Sequence, residues 1–289
     1  EDLEQAGREV TRRGYPWGMV TNGMALTERR FRGLLDAGLR TVSVSLDGFE
    51  REHNRMRGNP LSYERALQAI RMIVRQPALA SDVVTCVTGA MIPQLEAFGE
   101  MLIAEGVEHW RLFSIFPMGR AKEDPTLRMT DEEFRTLLEF IRRTRREGRI
   151  DASYACEGFL GGYEAEVRDH FYQCAAGVSV ASIRVDGAIS GCTSIRANFN
   201  QGNIYRVSSR SAIGRGRDAA SVPTVGCSAI AWAAACICMM TTARCSIVTT
   251  SGCDWSETGQ DAPFSFARRF VEERLPHLEM ERSIVAFAV

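Results

Sequence analysis

Apolar positions recur every three or four residues from Asp2 to Arg13 (Leu3, Ala6, Val10), then close up into a short run, Trp17 to Thr21, that ends in Asn22-Gly23. The change of period reads as a helix followed by a strand. The same alternation continues. A second helix is expected from about Thr27, a plausible N-cap, to Ala37, with Gly38 placed to stop it. Thr41 to Leu46 is β-branched and alternating and runs into Asp47-Gly48; Ser62 is expected to cap a helix through Arg75; Val83 to Val87 has the pattern of a buried strand. A helix over about Pro93 to Glu105 leads through Gly106 to a strand over Trp110 to Phe116. Helix and strand repeated in this way predict parallel β/α units, whose functional residues gather at the C-terminal ends of the strands.

Beyond Gly119 the pattern changes. Thr130 and Glu133 form a capping box at the head of a long helix to about Gly148, with a polar face rich in Arg and Glu. Ala181 to Val185, Asp186-Gly187 and Ala188 to Cys192 read as a β-hairpin, since Asp-Gly supplies the positive φ angles of a tight turn. From Val207 no clean period survives, and Ala219 to Ala243 carries no charge. The longest apolar run, Ala229 to Met240, is too short for a bilayer, which needs about 20 residues.

Composition narrows the function classes. The chain has 289 residues, of which 45% are hydrophobic and 25% charged, as in an ordinary soluble protein. A net charge of -1 gives no electrostatic case for nucleic acid or an anionic membrane as partner. Lys122 is the single lysine, which leaves little scope for Schiff-base chemistry. Nine cysteines without a secretory signal point to a cytoplasmic protein that uses thiolates for metal rather than for a disulfide framework. The chain does not begin with Met, and its start is expected to lie upstream.

Three features in order carry a family resemblance: the strand end Val20-Thr21-Asn22-Gly23; Ser43-Val44-Ser45-Leu46-Asp47-Gly48 followed by His53-Asn54-Arg55-Met56-Arg57; and Cys174, then Gly187, then Cys192 with the hairpin between. Together, over residues 1 to about 206, they resemble the radical S-adenosylmethionine (SAM) enzymes with a SPASM extension, which holds an auxiliary iron–sulfur cluster. The resemblance implies an α/β fold, a partial (β/α)6 TIM-type barrel lacking its first two strands, followed by a small α+β cluster-binding extension. It implies SAM and [4Fe-4S] clusters as cofactors. Ser45 and Arg57 fall where such enzymes contact the ribose and the carboxylate of SAM, with Asn22 and Asp47 as neighbours on the same rim. A hydroxyl suits a ribose oxygen and a guanidinium fork suits a carboxylate. The plainer reading of the same residues is a strand end, a turn and a surface arginine. Cys174 and Cys192 fall where the first two SPASM cluster ligands are expected; their plainer reading is two small buried thiols.

The C-x3-C-x2-C loop that holds the radical-generating cluster is absent from the sequence, as is Gly-Gly-Glu-Pro. Both would lie upstream of Glu1, so the chain is expected to be an N-terminally truncated fragment without that cluster and inactive as it stands. The tail cysteines do not have SPASM spacing. Joining the last base of each codon to the first two of the next, from Trp232 onward, permits G-x-G-M-H-L-H-D-D-N-G-x-L-L-x-C-H; the first Gly and both Asp are forced by the Trp and Met codons. Residues from about Val207 are therefore expected to be a frameshifted translation, with a zinc site at Cys236, Cys238, Cys245 and Cys253 as the competing reading.

The expected organisation is a truncated radical SAM partial barrel over 1–120, a helical connector over 121–170, the start of a SPASM domain over 171–206 and an irregular or disordered tail over 207–289. By resemblance the intact enzyme cleaves SAM reductively to a 5′-deoxyadenosyl radical and modifies a peptide or protein, with ferredoxin or flavodoxin as electron donor. Phe113 to Arg120 and Glu157 to Gly161 are expected at the mouth of the site. Thr193 stands where sulfatase-maturing relatives carry an aspartate base, so that activity is not expected. Three other readings stand beside this one: a non-catalytic SAM- or peptide-binding remnant, a Cys-rich metal-binding protein, and a phosphate-binding barrel. No catalytic residue is assigned. The outer edge of Trp17 to Thr21 is expected to be an unpaired ladder and an aggregation liability.

Overall fold

Helix and strand alternate through the first 154 residues because apolar side chains recur on one face of most of the helices and on alternate positions of the strands. The computed structural model describes residues 2–116, 120–155, 158–169, 172, 180–191, 200, 202–205 and 285–288. In chain order the first unit contains α1 (Asp2–Arg12), β1 (Trp17–Thr21), α2 (Glu28–Asp36), β2 (Leu39–Ser45), α3 (Glu50–Arg57), α4 (Ser62–Ile73), β3 (Ala80–Val87), α5 (Leu95–Ala104), β4 (His109–Ser114), α6 (Arg120–Glu123), α7 (Asp131–Glu147) and β5 (Asp151–Tyr154). Residues 174–279 belong to a second unit, where β6 (Ser182–Ile183), β7 (Ala188–Ser190) and β8 (Gly202–Asn203) form an antiparallel sheet. The Asp186-Gly187 hairpin is present as expected, its turn closed by Gly187 N–H donating to the Arg184 carbonyl at 2.8 Å.

The main sheet has the order β5-β4-β3-β2-β1-β9, where β9 is Val285–Ala288. The five strands between Trp17 and Tyr154 run parallel, as the β/α alternation requires. One face packs on helices: Val42, Val44, Val83, Val87, Trp110 and Leu112 are all buried. The other face carries the alternate positions, where Thr41, Ser43, Ser45, Asp82, Cys86, Arg111 and Phe113 are only half-buried. On this face Ser43 donates to Asp82 Oδ1 at 2.5 Å, and Arg111 binds both Asp82 and Ser43. At the start of the sheet, Gly7 lets α1 lie directly on β1; a Cβ there would fall 2.3 Å from the Trp17 ring.

Several expectations are corrected. The outer edge of β1 is not bare: Trp17 to Val20 pairs in parallel with Val285 to Ala288, which supplies the partners that its N–H and C=O groups need. That segment of the tail is therefore a strand, not irregular chain. Ser62 does not cap α4; it is the first helical residue after Leu61, and its hydroxyl meets His53 instead. The Tyr63 N–H is taken by Asn54 Oδ1 at 2.8 Å. The short helix α3 and the strand β5 were not anticipated, and β5 places part of the expected connector in the main sheet. The Thr130–Glu133 capping box forms as read, with both reciprocal bonds present. Among the described residues no helix is long and apolar enough to cross a membrane.

Candidate functional site

Asn22 and Ser45 occupy one end of the parallel sheet because β1 and β2 run in register. Thr21 is opposite Val44, so the next residues are side by side at the C-terminal strand ends. Asn22 is exposed and turns the chain, its Oδ1 accepting the Met24 N–H at 3.0 Å. Ser45 points to the half-buried face, and its hydroxyl makes no hydrogen bond among the described residues.

Past Ser45, alternation sends Leu46 into the core and the backbone leaves the sheet. Gly48 has a φ of +139°, a conformation open to glycine, and a Cβ there would sit 3.2 Å from Met91 Sδ. This turn folds Asp47 inward until the residue is 2% exposed. A buried carboxylate must be satisfied. Oδ1 accepts the Cys86 N–H of β3 at 2.9 Å, and Oδ2 accepts Arg57 Nε at 2.6 Å. Arg57 lies at the end of α3, with its side chain 30% exposed. Its two terminal nitrogens make no hydrogen bond among the described residues, so their four N–H donors remain for an incoming anion.

One turn before Arg57, His53 is fully buried. Its Nδ1 accepts the Asp47 N–H at 2.9 Å, which places the proton on Nε2, 3.0 Å from Ser62 Oγ. Burial lowers its pKa from the usual value to about 4; the Asp47 carboxylate, 3.7 Å away, acts against that shift and Arg57 adds to it. His53 is therefore neutral in the folded protein near pH 7. With the folded pKa depressed, the unfolded chain binds more protons between pH 6.5 and 4, so this stability is complete above about pH 6.5 and is lost as the pH falls toward 4. We expect thermal or urea unfolding to lose on the order of 2 kcal/mol from this group between pH 7.5 and 5. In His53→Asn that share of the slope should vanish; an unchanged slope would contradict the assignment.

The structure thus joins Asp47 directly to Arg57 and sets Asn22 beside Ser45, and no hydrogen bond links the two pairs among the described residues. Asp47 spends both oxygens internally, on the Cys86 N–H and on Arg57. Cys174, Cys192 and Thr193 lie outside the described residues, as do Glu157 and residues 117–119 of the expected mouth. Phe116 and Phe159 are exposed. Cys86 is the single cysteine among the described residues, and no group of three His, Cys, Asp or Glu there could hold a metal ion. His53 has no role in the family resemblance; the sequence signal for it is the i, i+4 spacing to Arg57, which puts both on one face of α3.

For SAM, the donor set fits: a hydroxyl at a strand end and a guanidinium held at Nε, the hydroxyl and the guanidinium's terminal nitrogens making no hydrogen bond among the described residues. Residues 1–93 match the family model described as the Radical SAM superfamily. Two curated relatives named AdoMet-dependent heme synthase are each 25% identical. One, from Methanosarcina barkeri, is matched over 66% of this chain and 58% of its own length; the other, from Oleidesulfovibrio alaskensis, over 54% and 40%. The matches therefore span about half the length of these relatives. A solved structure of Streptococcus suis SuiB bound to S-adenosylmethionine covers 65% of this chain and 45% of its own, at 15% identity and a TM-score of 0.48.

Proposed function

We propose that this chain carries the SAM-binding edge of a radical SAM enzyme. The radical SAM match over residues 1–93 implies SAM and a [4Fe-4S] cluster as the cofactors. The observation that supports the reading most is the half-exposed Arg57 fork, fixed at Nε by the buried Asp47 carboxylate near the strand end that carries Ser45.

In this reading Arg57 takes the SAM carboxylate through its two terminal nitrogens, Ser45 donates to or accepts from a ribose hydroxyl, and Asn22 lies beside the ribose on the neighbouring strand. Asp47 holds the guanidinium in plane and keeps it from swinging into solvent. Bound beside a reduced cluster, SAM would supply a hydrogen-abstracting 5′-deoxyadenosyl radical. Cys174 and Cys192 remain our assignment for two ligands of an auxiliary cluster, and a ferredoxin- or flavodoxin-type donor for the electron source. No helix among the described residues is fit for a membrane, and we assign no membrane or nucleic-acid partner.

For the substrate, the sequence resemblance favours a peptide or protein. A heme-forming reaction is the second reading, favoured by the name shared by the two curated relatives. The SAM assignment is tested by titrating the purified chain with SAM and following intrinsic fluorescence or heat. Ser45→Ala should weaken binding by about 3- to 10-fold, the worth of one hydrogen bond. Arg57→Lys, which keeps the charge but loses the fork, should weaken it by about 10-fold or more. Equal affinity in wild type and both variants would remove this site from SAM binding.

A further inference from the structure

We propose that His53 is a positioning residue for the SAM carboxylate site: its neutral ring bridges the Asp47 backbone to Ser62 and thereby fixes the plane of the Arg57 guanidinium. The claim rests on the SAM reading of Arg57, and deepens it.

Helix α3 has the sequence Glu-Arg-Glu-His-Asn-Arg-Met-Arg and no apolar stripe; His53 is its single fully buried residue. Its N-cap, Phe49, contributes no side-chain cap. Two polar contacts one turn apart tie the helix to the loop after β2, His53 to the Asp47 N–H and Arg57 to the Asp47 carboxylate. Both converge on one residue. The His53 ring holds the Asp47 backbone, while the Asp47 side chain holds the arginine. Opposite Asp47, the ring is tied to the first turn of α4 through Ser62 Oγ and flanked by Tyr63 at 6.3 Å between ring centres. The titratable or charged groups facing it are Asp47 from the loop after β2, Arg57 from its own helix and Tyr63 from α4. Its lowered pKa keeps the ring an acceptor at Nδ1 near neutral pH.

If the acceptor at Nδ1 is lost, the Asp47 N–H is left buried without a partner. The turn must then open to hydrate it, which displaces the carboxylate that orients Arg57. A fork that binds a carboxylate in two parallel bonds tolerates little rotation, so the loss should appear in affinity for a carboxylate ligand and not only in stability.

Two variants separate the functions of the ring. His53→Asn keeps an acceptor near the Nδ1 position and gives up the Ser62 contact; His53→Gln reaches Ser62 and gives up the acceptor to Asp47. In protein labelled with 15N-arginine, the Arg57 Nε–H signal, identified by its absence in Arg57→Lys, should exchange slowly with water in wild type and His53→Asn and rapidly in His53→Gln. SAM titration should show His53→Asn within about 3-fold of wild type and His53→Gln weaker by about 10-fold. In the Arg57→Lys background, His53→Gln should cause no further loss, because the fork it orients is already gone. The inference is overturned if His53→Gln leaves the Arg57 signal protected and the affinity unchanged while lowering the melting temperature, the pattern of a packing residue. It is also overturned if the losses from His53→Gln and Arg57→Lys simply add. If wild type and Arg57→Lys show no SAM affinity at all, the SAM reading falls, and the Arg57 exchange rate still decides whether His53 orients that side chain.

Discussion

Arg57→Met will destabilise the protein by about 4 kcal/mol, read as a shift in the urea midpoint at constant slope. The size follows from an asymmetry in the pair. The Asp47 side chain has no exposed surface, whereas Arg57 keeps 30% of its own. Methionine preserves the length of the stem but offers no donor, so a carboxylate is left buried with the Cys86 N–H as its hydrogen-bond donor. Removing the carboxylate instead should cost less. In Asp47→Asn the amide oxygen can still accept from Cys86, and the released guanidinium can turn to water, so about 2 kcal/mol is expected. The sharper test is the double variant. Asp47→Asn should be stabilising when introduced into Arg57→Met, because it neutralises the stranded charge. Additive losses in that cycle would show that the two side chains do not act as a pair.

Trp110→Ala should cost about 3–5 kcal/mol, the loss expected for a fully buried large aromatic. Trp110 stands at the middle of an aromatic row that crosses the helix-packed face of the sheet. Its centroid lies 5.7 Å from Phe98 and 5.7 Å from Phe140, and Phe98 in turn meets Phe49 edge-on at 5.4 Å. The row ties α5 and α7 to β4 and reaches the residue that precedes α3. Its indole N–H donates to Thr85 Oγ1 at 2.8 Å, and Thr85 donates to the Leu46 carbonyl at 2.7 Å. That carbonyl is one residue from Asp47, so the core and the candidate site share a support. Trp110→Phe keeps most of the ring packing and loses the N–H, and should cost about 1–2 kcal/mol. A loss below about 1 kcal/mol for the alanine variant would mean that the row is not a principal part of the core.

Where side chains alternate cleanly, the fold was legible. Thr41 to Leu46 and Val83 to Val87 announce two central strands, and the Thr130–Glu133 box marks the start of α7 within one residue. Helix α3 was not legible because its eight residues carry no apolar period; it is held by tertiary polar contacts that no local pattern encodes. Strand β5, Asp-Ala-Ser-Tyr, is too short and too polar to stand out from a loop. Asp47-Gly48 reads as an ordinary turn, and only the folded chain reveals that the turn drives a carboxylate into the core against Cys86 and Arg57. Ser62 looked like a cap because Ser is favoured there, but the buried imidazole of His53 needed its hydroxyl and Asn54 served the helix instead. Ser45 and Arg57 were found through motif order, which local propensity alone would not have supplied.

The pairing of Val285–Ala288 with Trp17–Val20 also fixes the order in which this sheet can be finished during synthesis. Strands β1 to β5 have all been synthesised by residue 154, and each of β2 to β5 pairs with the strand made just before it. The outermost partner of β1 emerges much later, on the order of 10–50 s at bacterial-like elongation rates of roughly 5–20 residues per second. Among the described strands, the β1–β9 ladder is therefore the last that can form, after β2 to β5 have all been made.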